Sequence, residues 1–322
     1  MAVAPTAPAP RVRILGRESL LVRLVRRPAG AFGLGVVVLL VCFALFAPLI
    51  APYPAAKQDI PNRLEGPSQA HVLGTDDLGR DLFSRVVHGA RVELKVALPA
   101  VFAALAIGLL LGVAAGYLGG WVDNALVVVM DTIQSFPAVI LALTLLALLG
   151  PSLRNVVVVI AVTYAPSYGR VTRALVLATK QNLFVEAERS LGAGPARIVG
   201  VHLLPNILAP LFILLAMDVP SAIATEAGLS FLGVGVQPPT PSWGVILNDG
   251  FENVRQSGWG IVSAGGALMI ATLGFTLLGE TLRDIVDPRL AGAAEAVRAR
   301  GGRWRRLGRG ASGATAEPAG PA

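Results

Sequence analysis

Long apolar runs, separated by short polar segments, set the pattern of this chain. They cover 31–51, 96–122, 125–149, 155–168, a fifth stretch from about Asn206, and 258–279. About 20 apolar residues cross the roughly 30 Å hydrocarbon core of a bilayer as a helix. The pattern therefore predicts an all-α integral membrane protein with six transmembrane helices. The first run is too long for the core of a signal peptide, so it is read as a retained helix. The stretch 201–236 is too long for one span and short for two with a turn. Arginines decide it: with six helices and an inside N-terminus, 19 of the 27 Lys/Arg fall inside, as the positive-inside tendency requires. Both termini are then expected in the cytoplasm, with Gly228–Val236 capping the fifth helix or re-entering on the outer side.

Composition sharpens the picture. The chain is 54% hydrophobic and 15% charged, with a mean hydropathy of +0.67, against about 25% charge in soluble domains. The net charge of +7 sits at the ends of apolar runs, as topology determinants do, which argues against nucleic acid. Cys42 is the single cysteine, so no disulfide forms within the chain. The divisions expected are a tail with an interfacial helix (1–30, with Leu20, Leu21, Leu24 and Val25 between arginines), a first transmembrane helix (31–51), an outer polar segment (52–95), a membrane core (96–290) and a disordered basic tail (291–322). In the second run Gly108, Gly112 and Gly116 recur one turn apart, a spacing that lets two helix backbones approach closely.

The most informative stretch is polar. Phe184 to Asn206 reads FVEAERSLGAGPARIVGVHLLPN and carries Glu186, Ala187, Gly192, Leu204 and Pro205. It resembles the EAA loop of ABC-importer permeases, the cytoplasmic helix-turn-helix that docks onto ATPase subunits. The arginine count independently puts it on the cytoplasmic side, within a loop spanning 182–205. Three further patches strengthen the resemblance. His71 to Arg85 (HVLGTDDLGRDLFSR) is similar to the outer segment of the second permease subunit of dipeptide/oligopeptide/nickel-type ABC importers. Glu226 to Gly244 (EAGLSFLGVGVQPPTPSWG) and Gly279 to Leu290 (GETLRDIVDPRL) resemble that family's signature after the fifth helix and its end. The resemblance implies the type I ABC importer permease fold and peptides or nickel complexes as solutes. It also implies a homologous second permease, two cytoplasmic P-loop ATPase subunits, an extracytoplasmic solute-binding protein and a place in the bacterial inner membrane. Glu188, His202 and Asp218 depart from what that pattern leads one to expect.

Charges inside apolar runs are the remaining chemistry. Asp131, Asp218 and Glu226 must face protein or water, and they are the candidates to line a pathway. A rival reading makes Asp131 and Asp218 the proton carriers of a secondary transporter without ATPase partners; another makes the chain a scaffold subunit. Pro137 reads as a kink in the third helix, and Trp243 as an interfacial anchor in a rigid outer loop. Asp76, Asp77, Arg80 and Asp81 read as a solvated ion-pair network rather than a metal site. No phosphate-binding loop occurs, and no Ser/His/Asp set, HExxH or CxxC. ATP hydrolysis is therefore expected in separate subunits, with no cofactor, metal or catalytic residue in this chain.

Overall fold

The computed structural model describes residues 20–286; Arg11, Arg13 and Arg17 of the expected interfacial stretch, and the basic tail 291–322, lie outside them. Eleven α-helices are described: α1 Leu20–Val25, α2 Pro28–Ile50, α3 Leu82–Leu118, α4 Gly120–Gln134, α5 Ala138–Leu149, α6 Leu153–Lys180, α7 Leu183–Ser190, α8 Pro195–Arg197, α9 Leu204–Phe231, α10 Trp243–Glu252 and α11 Trp259–Val286. There is no strand among the described residues, only one isolated bridge between Thr75 and Asp81.

Four helical stretches (α2, α3, Pro195–Phe231, which joins α8 and the turn after it to α9, and α11) are long and apolar enough to cross a membrane. A fifth span results if α4 and α5, bent 89° to each other, are taken together. The sequence pattern led to six. The shortfall lies in α6, whose 28 residues are long enough but carry Arg154, Arg170 and Arg173. The third run is broken rather than kinked. Pro137 has no N–H to give a helix and disfavours α geometry at Phe136, so the chain leaves helical conformation after Gln134 and restarts at Ala138.

α3 begins fourteen residues before the apolar run does, because Asp81 caps it: its carboxylate accepts the Ser84 backbone N–H at 2.7 Å. Its most intimate partner is α6. The stripe Gly108–Gly112–Gly116 faces Ala165, Gly169, Thr172 and Val176 of α6. A methyl group at Gly108 would stand 2.6 Å from the Ala165 carbonyl oxygen, and one at Gly112 would stand 2.5 Å from Thr172 Cβ. Only glycine permits that backbone approach. Tyr168, Ile160, Ile207, Leu211 and Ile223 fill the core between α3, α6 and α9, all at most 1% exposed.

The segment around Trp243 is more ordered than a rigid loop. α10 lies against α9 and α11, and Trp243 is 1% exposed, so it is a core residue rather than an interfacial anchor. Its indole N–H donates to the Val86 carbonyl at 3.0 Å, and its backbone N–H to Glu93 Oε1 at 3.0 Å. The Asp76 network is likewise buried, not solvated: Asp76, Arg80 and Arg85 are 5%, 7% and 1% exposed. Arg85 pairs with Asp76 and, at 3.0 Å, with Asp249 of α10, which also receives Arg80 at 3.0 Å. The segment before α3 is thereby tied to the one before α11.

Candidate functional site

The EAA-like stretch folds as an elbow between α6 and α9. α7 ends in a Schellman turn: Ala193 N–H donates to Glu188 O at 3.0 Å and Gly192 N–H to Arg189 O at 2.9 Å. Gly192 has φ +84, the left-handed conformation that favours glycine. Pro195 then opens α8, and Ile198–Leu203 continue as a wide π turn into α9. The wide turn falls where a regular helix would press the Pro205 ring on the Val201 carbonyl.

Val185, Ile198 and Leu203 are at most 1% exposed and fix the elbow to the body. Glu186 and Ala187 face outward, Leu204 is half-buried and Pro205 exposed. Leu183 and Leu191 are 82% and 83% exposed, an apolar pair on an otherwise polar loop. Glu188 and His202, the two departures from the family pattern within this loop, meet: the carboxylate lies 3.5 Å from His202 Nε2 and 3.8 Å from the Arg197 guanidinium. The Glu188–His202 contact closes no hydrogen bond at Nε2, and His202 is a residue the peptide-importer branch often carries at this place.

Deeper in the chain, Asp131 pairs with Arg170 at 2.6 Å, and both side chains are about half exposed. Asp123 accepts Arg173 through both oxygens, at 2.5 and 2.7 Å. Lys180 Nζ donates to the Tyr117 carbonyl at 2.8 Å, so α4 and the end of α3 are joined to α6 by three cations in succession. Asp218 is half-buried midway along α9. The Tyr168 hydroxyl points at its carboxyl without closing a hydrogen bond of ordinary length. Beside it, Tyr164 Oη and Thr225 Oγ1 lie 3.0 Å apart, and Ser221 is exposed on the same face. Glu226 is fully buried; Ser230 Oγ donates to its Oε1 at 2.6 Å, and buried Glu93 of α3 lies against it.

The structure thus brings the elbow residues together, and separately Asp131 with Arg170 and Asp218 with two tyrosines. It does not bring Glu226 to any surface. Sequence reasoning missed Tyr164, Thr225 and the Glu93–Glu226–Trp243 cluster. Hydroxyls recurring at Ser221 and Thr225, a helical turn apart and close to Asp218, were a readable signal; contacts across 150 residues were not.

Three carboxylates, of Asp76, Asp77 and Asp249, converge within 4.8 Å, but Arg80 and Arg85 stand among them and offset two of the three charges. Burial first, then the neighbouring Asp76 and Asp249 charges, push the Asp77 carboxyl above its usual value, against the pull of Arg80 and Arg85.

Comparison with known proteins accords with this geometry. Residues 108–292 match the family model of the binding-protein-dependent transport system inner membrane component, and residues 18–67 match the N-terminal TM domain of oligopeptide transport permease C. The dipeptide transport system permease protein DppC of Alkalihalophilus pseudofirmus is 39% identical over 258 residues, covering 80% of this chain and 85% of the relative. The di/tripeptide permease DppC of Pseudomonas aeruginosa is 40% identical over 272 residues, 82% of this chain and 90% of that one. The glutathione permease GsiD of Escherichia coli is 40% identical over 257 residues, 80% and 85% of the two chains. Among solved structures, the inward-facing MetNI methionine ABC transporter aligns with a TM-score of 0.52 at 20% identity, over 63% of this chain and 97% of that chain. The chain belongs to the binding-protein-dependent transport permease family. It is a permease subunit of an ABC importer with the type I permease fold; hydrolysis of ATP is the work of separate subunits. The proton-coupled alternative finds no support among these relatives.

Proposed function

We propose that this chain forms half of the membrane pathway of an importer for short peptides or chemically similar solutes such as glutathione or nickel complexes. The names of its relatives support that substrate class. A homologous second permease would supply the other half, two cytoplasmic P-loop ATPases the energy, and an extracytoplasmic binding protein the solute. The observation that carries the reading is the elbow of α7 and α8, outward-facing and anchored from beneath by Val185, Ile198 and Leu203. A rigid knob with exposed Leu183, Leu191, Glu186 and Ala187 can seat in a groove of an ATPase. It is continuous with α9 and one short step from α6, so a push on it tilts both helices. Gly192 sets the angle of the knob; Leu204 and Pro205 set where α9 departs from it.

On this reading six spans cross the bilayer in bacterial inner membranes. α6, about 42 Å long at 1.5 Å per residue, is the one whose charges are matched by Asp131 and Asp123 instead of lipid. Both termini lie in the cytoplasm, as the arginine distribution favours. A charge at the bilayer centre costs about 2.5–3.5 kcal/mol on insertion scales, so the half-exposed Asp131, Arg170 and Asp218 belong on a face that meets water or the second permease. Glu226 holds that wall from behind, through Ser230 and Glu93.

The test is co-purification from native membranes in mild detergent with a tag on this chain. A second permease and two P-loop ATPases in the eluate support the proposal. A lone chain or homodimer, under conditions that keep other ABC complexes whole, ends it.

A further inference from the structure

We infer that Asp218, with Tyr164, Thr225 and Tyr168, forms a site for the primary ammonium group of a solute in transit, halfway across the membrane. The inference rests on the peptide reading above and gives that pathway a chemistry.

Three observations carry it. First, Asp218 has no protein cation: no lysine or arginine among the described residues pairs with it, whereas Asp123 and Asp131 each hold an arginine. A carboxyl placed midway along a spanning helix, half open and without a counter-charge, is a group awaiting a cation. Second, the hydroxyl protons around it are already committed. Thr225 Oγ1 donates to the Ser221 carbonyl at 2.8 Å, so in its 3.0 Å contact with Tyr164 it accepts and the Tyr164 hydroxyl donates. Lone pairs of Tyr164 remain, and the Asp218 carboxyl is near enough to interact with it. An ammonium has three N–H donors and no acceptor, and it meets here a cluster whose unspent capacity is to accept. Third, the Tyr168 hydroxyl is buried, with its residue 0% exposed, and closes no hydrogen bond of ordinary length; the group it interacts with is the Asp218 carboxyl.

Ser221 and Thr225 continue the polar face along α9 beyond Asp218. Arg170, two residues on from Tyr168 and so turned to another side of α6, is already paired with Asp131. On its own face of α9, Asp218 is an acidic side chain with no basic partner among the described residues.

The experiment uses the whole transporter, with its partner permease, ATPases and binding protein, in proteoliposomes. Uptake is measured at saturating solute, where delivery no longer sets the rate. Three probes are compared: alanyl-alanine, propionyl-alanine, which lacks only the ammonium, and propionyl-lysine, which carries one on its side chain. The wild type should move alanyl-alanine faster than propionyl-alanine by about tenfold to a hundredfold, the worth of a charged hydrogen-bonded contact. Asp218→Asn should collapse that ratio toward unity, and Asp218→Glu should keep most of it. If propionyl-lysine shares the loss in Asp218→Asn, a side-chain ammonium uses the site as well; if it is indifferent, the site reads the peptide N-terminus. Equal loss of alanyl-alanine and propionyl-alanine uptake in Asp218→Asn would mean a structural role and overturn the inference, as would unchanged alanyl-alanine uptake. A wild type that carries neither dipeptide while its ATPases respond to another solute would instead overturn the peptide reading, and this inference with it.

Discussion

Arg85 shows how much of the region before α3 and around α10 hangs on one side chain. It is 1% exposed and spans Asp76 before α3 and Asp249 on α10. Arg80 also pairs with both carboxylates, so losing Arg85 leaves them partly uncompensated, at a cost below the roughly 3–5 kcal/mol of a fully orphaned buried charge. Arg85→Ala should therefore lower the thermal unfolding midpoint of the purified protein clearly, while Arg63→Ala, outside the network, should barely move it. Asp77 at the edge of the same cluster works in the opposite sense. Its folded pKa lies above the ordinary 3.8, so the fold favours the protonated form. The stability this confers is present below the ordinary value and is lost as pH rises through the raised one. The midpoint of Asp77→Asn minus that of the wild type should then widen from pH 4 to pH 7; a difference that narrows would show that the Arg80 contact outweighs burial. Gly192 acts through backbone alone. A methyl there meets nothing within 4 Å, but a β-branched residue at φ +84 is strained by roughly 1–2 kcal/mol. Gly192→Val should let ATP hydrolysis proceed while uptake falls, and Gly192→Asn should be milder; wild-type uptake in the valine variant would remove the elbow from the mechanism. The types of these residues were legible in the sequence. Their partners were not: nothing local tells Glu188 that it will meet His202, or Arg85 that it will reach Asp249.

At the scale of elements, the apolar runs located every long helix but not its ends. Periods of hydrophobicity report where lipid or core begins. Helix ends are set by caps and breakers instead: Asp81 starts α3 well outside the apolar run, Ser152 starts α6, and Pro137 turns one expected span into two helices 89° apart. α10 went unforeseen because ten residues of mixed polarity between two spans carry little period. The glycine stripe of α3 was readable as a close-packing surface, and the structure names the other side as α6. Because the Gly112 position stands against backbone rather than a flexible side chain, overpacking there has no cheap relief. Gly112→Val should destabilise the pair by about 1–3 kcal/mol or more, seen as lost thermal stability in detergent. Gly35→Val on α2, where a methyl meets nothing within 4 Å, is the control that should be silent.

For the whole molecule, the question is which flank meets lipid. Hydropathy along the chain cannot answer it, since a helix that lines a polar pathway and one that lies in lipid can share the same mean; the answer lies in which side chains the fold leaves outside. Leu45, Leu49, Leu110, Leu148 and Met269 are 64–83% exposed and carry no polar neighbour that needs water, so they suit acyl chains. Asp131, Arg170, Ser221 and the open edge of Asp218 lie instead along α4, α6 and α9, where lipid contact would be costly. The exposed surface therefore carries side chains suited to hydrocarbon and polar ones that call for water or a second subunit. Labelling can decide it. Cys42 is the only cysteine, so Cys42→Ser gives a clean background for Ser221→Cys and Leu110→Cys. In the assembled transporter a charged, membrane-impermeant thiol reagent should modify Ser221→Cys, at a rate that changes when ATP is added, because alternating access opens that face in turn to each side. Leu110→Cys should stay unreacted with or without ATP. Reversed reactivity would place the pathway on the flank of α3, and Asp218 would then need a different partner in the membrane.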